Sequence, residues 1–161
     1  MDSKANWIKY LNLTAHPEGG YFCENYRNAS ELNIDVKYSG KRNLATSIYY
    51  MLEYGQFSKL HRLKSDEIWY FHHGATLKVH VFNHNQYQSY VLGTNLNQKQ
   101  LLQLIIPAGA IFGAEVMEIN SFTILGCMVS PGFHFDDFEL IKLTDILSHF
   151  PEQKTIIEKL T

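Results

Sequence analysis

Cysteine is scarce in this chain of 161 residues, which holds only Cys23 and Cys127. Neither stands in a CxxC pair, which excludes a disulfide framework. Cys127 in "ILGCMV" has apolar neighbours and no cation to depress its pKa, so both thiols read as small apolar residues rather than nucleophiles. An excess of either charge is also lacking. Fourteen Lys and Arg stand against sixteen Asp and Glu, for a formal charge of −2. The basic residues are scattered, so no concentrated positive field exists for a phosphate backbone, and nucleic acid is not an expected partner. No apolar run is long enough for a signal core or a bilayer span, so the expectation is a cytoplasmic protein with no membrane partner. With four prolines and no Pro/Gly/Ser-rich tract, nothing marks a linker, and residues 1–161 read as a single domain.

Apolar residues make up 45% of the chain, enough for one well-buried core. Ser3 is a candidate N-cap for a short helix over residues 3–11, with Trp7, Ile8 and Leu11 on one face. "HPEGGYF", residues 16–22, combines Pro with two glycines and reads as a turn or a close backbone approach. Between Ala45 and Val129 the pattern becomes a series of short β-rich runs, among them "TSIYYML", "FSKLHRL", "EIWYFHH", "TLKVHVFN" and "SFTILGCMV". That density predicts an all-β antiparallel sandwich or barrel. "LTDILSHFPEQKTIIEKL" has helical character but is interrupted by Pro151, which predicts two short helices.

Within the β region, Gly55, His61, Leu63, Glu67 and Gly74 carry a spacing that resembles the first cupin motif, G-x5-H-x-H-x3,4-E-x6-G, with Leu63 in place of the second His. In that motif His and the next-but-one residue share a strand face, while the Glu arrives on the following strand, so three ligands converge inside a barrel. The second motif resembles "PAGAIFGAEV", which supplies Pro107 and Gly109 but Phe112 where a further His is expected. Only His61 and Glu67 remain as metal ligands, short of the three used by open zinc sites and facial iron triads. No cofactor is therefore expected, and a divalent metal, disfavoured here, would have to use that pair.

The flanks narrow the resemblance. "HPEGGYFCENYR", "SIYYML", "HRLKSDEIWYFHHG", "IIPAGAIFGAE" and "GCMVSPGFHFDDFEL", in that order from about residue 11 to about 143, are similar to successive blocks of one family of small cupins often labelled predicted sugar epimerases. The resemblance implies a double-stranded β-helix, or jelly-roll, cupin barrel over about residues 45–143 with short peripheral N- and C-terminal helices. It also implies a homodimer. Relatives usually read "EIWHFYAGDPL" where this chain has "EIWYFHHGATL", and Trp and Gln where it has Ile111 and Phe112.

His61 and Glu67 are the leading catalytic candidates, because a His beside a carboxylate is held in one tautomer and tuned as a base. A tyrosine of the preceding strand, Tyr49 or its neighbour Tyr50, is the candidate acid, with Tyr49 preferred. Trp69 and Phe71 share the Glu67 face of their strand and, with Phe112 and the aromatic pair Phe133 and Phe135, are expected to line a ligand cavity. Arg27 is the candidate anion clamp. His16 and Glu18 fit a lip over the pocket or a dimer contact equally well. Asp66 is expected to face outward and pair with Arg62, and His72, His73, His80 and His84 are expected on the surface. Three functions compete: a metal-independent isomerase or epimerase on a small, sugar-like substrate; a small-molecule binding module without turnover; and a metal-dependent lyase or dioxygenase with a noncanonical third ligand.

Overall fold

The computed structural model describes residues 3–34 and 36–161. Among the described residues, thirteen strands run in chain order: β1 Thr14–Ala15, β2 Tyr21–Arg27, β3 Glu31–Leu32, β4 Arg42–Asn43, β5 Thr46–Glu53, β6 Phe57–Leu63, β7 Asp66–Gly74, β8 Leu77–Asn83, β9 Gln86–Leu92, β10 Gln103–Ile106, β11 Ile111–Val116, β12 Phe122–Ser130 and β13 Phe138–Leu140. Helix α1 spans Lys4–Tyr10, α2 Leu143–Leu147 and α3 Lys154–Leu160. The strands form a six-stranded sheet, β1-β2-β5-β12-β7-β10, a five-stranded sheet, β13-β6-β11-β8-β9, and the small ribbon β3-β4. All ladders are antiparallel. This is the predicted all-β jelly roll with short helices at its ends. The sheets also recruit residues 14–27, ahead of the 45–143 span, because β2 pairs along β5 from Tyr21↔Met51 to Arg27↔Thr46.

Alternation of side chains along each strand builds the core between the sheets. Leu52, Trp69, Val79, Phe112 and Leu125 are fully or nearly fully buried there. A second cluster lies on the outer face of the five-stranded sheet, where Leu60 and Phe82 meet Ile146, Ile157 and Leu160 of the C-terminal helices. Pro151 separates those helices, as expected, and sits in a 3₁₀ turn. On the far side of the six-stranded sheet, Trp7, Ile8 and Leu11 pack on Leu13, Met51 and Ile124, and Ser3 Oγ caps α1 by accepting from the Asn6 N–H at 3.3 Å.

The helical cover overturns one surface assignment. His80 is 2% exposed rather than a surface residue, because α3 roofs the outward face of β8 that a sheet facing water would leave wet. Its Nδ1 lies 2.8 Å from the Tyr87 hydroxyl and its Nε2 3.4 Å from Glu115. His72, His73 and His84 are exposed as expected. Asp66 does not pair with Arg62 either: its Oδ1 accepts the Ala108 N–H at 2.8 Å, while Arg62 Nε donates to Glu139 at 2.7 Å across the β13 ladder. No helix among the described residues is long and apolar enough to cross a membrane.

Candidate functional site

A cavity of about 250 Å³ opens at one end of the barrel, between the two sheets. Strict alternation on β6 would aim Phe57, Lys59, His61 and Leu63 at one face. Instead β6 carries one extra residue: His61 stands opposite Phe112 and Ser58 opposite Ala114, so three steps on β6 match two on β11. The bulge turns Ser58 and His61 inward together and leaves Lys59 in solvent.

His61 Nδ1 lies 2.6 Å from the Lys59 carbonyl. A carbonyl only accepts, so Nδ1 carries a proton. His61 Nε2 lies 3.1 Å from Glu18 Oε2, and a bond there requires one further proton shared by the two groups. Burial lowers the His61 pKa and raises that of Glu18, so each group is shifted toward its neutral form. The other Glu18 oxygen accepts the Ser58 hydroxyl at 3.0 Å. His16 completes the wall: its Nδ1 accepts the Glu18 N–H at 3.2 Å, and its ring stands edge-on to Phe22 at 4.6 Å.

Glu18 reaches this position through the two glycines that follow it. Gly19 and Gly20 hold φ of +111° and +74°, and a Cβ on Gly19 would stand 2.1 Å from the Phe57 carbonyl oxygen. The Glu18 carbonyl accepts the Lys59 N–H at 2.9 Å, and the Gly19 carbonyl accepts the Tyr50 hydroxyl at 2.8 Å. The 16–20 turn is thereby fastened to β6 on one side and β5 on the other.

Glu67 enters from the opposite sheet, on β7, paired with Ile106 of β10 and Val129 of β12. It is 7% exposed. Burial pushes its pKa up to about 7; His61 opposes that shift and Glu18 adds to it. Its Oε2 is buried without a hydrogen-bond partner. The Trp69 indole N–H beside it is also without a well-aligned partner, and as a donor toward the carboxyl group it partly offsets the upward shift.

The expected site residues divide into three groups. His61, Glu67, Phe133 and Arg27 line the cavity. Trp69 and Phe112 lie behind its wall as core residues, with the Phe112 ring 4.1 Å from the His61 ring centroid, and Phe71 packs against the same cluster. The contacts that orient His61 are the Lys59 carbonyl at Nδ1 and Glu18 Oε2 at 3.1 Å from Nε2, while Glu67 acts on the ring through its charge. Tyr49 is on the outer face of β5, against the α1 cluster and 6.1 Å from the His72 ring, because adjacent strand residues face opposite ways. Tyr50 faces the cavity in its place, with its hydroxyl committed to Gly19 and its pKa pushed up by burial. Arg27 is already occupied: Nε and Nη2 donate to Glu24 at 2.9 and 2.6 Å, and Nη1 to Asn43 and to the Phe133 carbonyl at 2.8 and 3.3 Å. At the mouth, Phe133 meets Phe135 edge-on at 5.0 Å, and Phe138 lies 5.3 Å from the His61 ring. Asp137 fastens this segment by accepting from Arg42 Nε and Nη2 at 2.5 and 2.9 Å, a pair in which both side chains are 3% exposed.

The residues do not fit a cupin metal. Leu63 and Phe112 present hydrocarbon at two ligand positions, and His61 has its Nδ1 on the Lys59 carbonyl and its Nε2 3.1 Å from Glu18. Among the described residues no three His, Cys, Asp or Glu side chains converge as a metal would require.

A sequence model of the family described as Cupin superfamily (DUF985) matches residues 5–141. The uncharacterized protein YML079W of Saccharomyces cerevisiae is 28% identical over 155 residues, covering 88% of this chain and 77% of that protein. The crystal structure of protein SO0799 from Shewanella oneidensis superposes with a TM-score of 0.89 at 37% identity, over 100% of this chain and 98% of that one. A hypothetical protein from Leishmania major gives 0.91 at 31% identity, over 99% of both chains. Oxalate decarboxylase from Bacillus subtilis, at 15% identity and a TM-score of 0.57 over 36% of its length, shares the fold alone.

Proposed function

The chain belongs to the DUF985 family of the cupin superfamily, and from that premise we propose that it moves a proton at carbon on a small molecule held in the barrel, as a metal-independent isomerase or epimerase. One observation carries this reading: two proton-exchanging groups, the Glu18–His61 pair and Glu67, face one cavity from different sheets. A pKa of about 7 suits Glu67 to act as a base near neutrality.

In this scheme the Glu67 carboxylate takes the proton from a carbon beside a carbonyl, and the C–H electron pair moves onto the carbonyl oxygen as an enolate. The Glu18–His61 pair then returns its shared proton to the opposite face of the same carbon as the carbonyl re-forms. Glu67 is left protonated and the pair deprotonated, and exchange with solvent resets both. Tyr50 fixes the Gly19 carbonyl and so holds Glu18 in place.

The scheme predicts that the protein catalyses deuterium incorporation from D₂O into a chiral α-substituted carbonyl compound, and that His61→Ala and Glu67→Gln each abolish it. Exchange that persists at the wild-type rate in either variant refutes the assignment. The apolar walls and the aromatic mouth favour a second reading, passive binding, which is supported if a compound binds in the cavity and no bound compound exchanges.

A further inference from the structure

The charge and hydrogen bonding of the cavity specify what it can hold, and this inference rests on reading the cavity as the substrate site. Among its lining side chains are three carboxylates, Glu18, Glu24 and Glu67. Glu18 accepts from Ser58 and lies 3.1 Å from His61 Nε2, and Glu24 is paired with Arg27. Arg27 has donated four of its five N–H groups, so it cannot offer an anion the paired donors that make guanidinium a carboxylate or phosphate clamp. His16 and His61 are held toward their neutral forms by burial. His134, at the rim and half exposed, lies 3.4 Å from Asp136. An anionic group entering here would face carboxylates without a free cation to meet it.

Glu67 presents the opposite situation. Its carboxyl group is on the cavity wall, its Oε2 is buried with only the poorly aligned Trp69 indole N–H beside the group, and leaving an acceptor so weakly met is costly. Around it the wall is hydrocarbon, with Ile48, Leu63 and Val129, and the exit passes Phe133, Phe135 and Phe138. Phe135 is 58% exposed, an aromatic face offered to whatever stands in the mouth.

We propose that the cavity takes a small primary amine as its cation, with the ammonium group donating to the Glu67 carboxylate and a flat apolar body lying against the Phe133, Phe135 and Phe138 rings. An ammonium supplies the carboxylate with strong donors and an opposite charge together, and the aromatic rim buries the rest of the molecule while attracting its positive end. A phosphorylated sugar or nucleotide would find neither feature.

The test is calorimetric titration at pH 8 with four probes: benzylamine, benzyl alcohol, phenylacetate and methylamine. Benzylamine is expected to bind at least tenfold more tightly than each of the others. In Glu67→Gln its advantage over benzyl alcohol should vanish, and in Phe135→Ala its advantage over methylamine should shrink. Phe135 is exposed, so that variant keeps the fold, and thermal melting checks both proteins. Phenylacetate binding as well as benzylamine, methylamine matching it, a preference that survives Glu67→Gln, or no binding by benzylamine would each overturn the proposal. The two readings fail separately. A benzylamine preference without deuterium exchange on any bound compound sinks the catalytic reading alone, while His61-dependent exchange on a tightly bound anion sinks this one alone.

Discussion

Replacing Glu67 by Gln keeps the side-chain volume and removes one ionisation, and the structure fixes the sign and size of the result. Glu67 has its pKa raised from 4.5 to about 7, chiefly by burial. Below pH 4.5 the carboxyl is protonated in both folded and unfolded chains, and its full contribution to stability is present. As pH rises, the unfolded chain ionises first, so that contribution is lost progressively until the folded pKa of about 7 is passed. A displacement of about 2.5 units corresponds to about 3 kcal/mol. Glu67→Gln should therefore match wild type near pH 4.5 and exceed it by about 3 kcal/mol at pH 8.5. Urea unfolding at the two pH values reads this as a midpoint gap that opens from near zero to about 1 M at ordinary slopes. The same gap at both pH values, or a less stable variant at pH 8.5, would refute the reasoning. Either result would mean that the carboxylate oxygen has a partner in solution.

Three further outcomes follow from other parts of the molecule. Gly19→Ala should destabilise by more than about 2 kcal/mol, since its Cβ would overlap the Phe57 carbonyl at a left-handed backbone; an unchanged melting curve would show that the 16–20 turn is not held as described. Arg42→Ala should cost about 3–5 kcal/mol by leaving Asp137 buried without its bidentate partner, whereas Lys64→Ala, which removes an exposed contact at 3.4 Å to the same carboxylate, should cost less than about 1 kcal/mol. Equal effects in the two variants would count against the buried pair as the anchor of the mouth. His80, held near pKa 4 mainly by burial, should stay neutral in an imidazole ¹⁵N NMR titration until well below pH 6; a midpoint near 6.5 would place it in solvent.

The barrel was legible because its signal is local: short β-rich runs, turn residues between them, and the glycine, histidine and glutamate spacing around His61. The helices at both ends were legible for the same reason, through Ser3 and Pro151. The chemistry at His61 was harder to read, since it depends on which distant segment lies against the ring. "HPEGG" carries a visible signal, an acidic residue followed by two glycines able to take positive φ. Only the folded chain brings Glu18 beside Ser58 and His61, forty or more positions away. The choice between Tyr49 and Tyr50 turned on strand phase, which a one-residue slip reverses. The β6 bulge moves the inward position from Lys59 to Ser58, which simple alternation cannot foresee, and His80 looked superficial because sequence periodicity does not record a helix roofing a strand.

The 16–20 turn has a mechanical consequence. Its peptide groups tie β5 to β6 through the Tyr50 hydroxyl and the Lys59 amide, and its carboxyl group lies 3.1 Å from His61 Nε2. The seam that keeps the two sheets from parting at the cavity mouth is thus built from the same few atoms that set the acidity inside. A change of charge on Glu18, whether from solvent or from a bound molecule, strains a structural fastening as well as a chemical group. The opening rate of this end of the barrel should then follow the protonation of its interior, and the Lys59 amide, exchanging its hydrogen only when the seam parts, is the natural place to watch it happen.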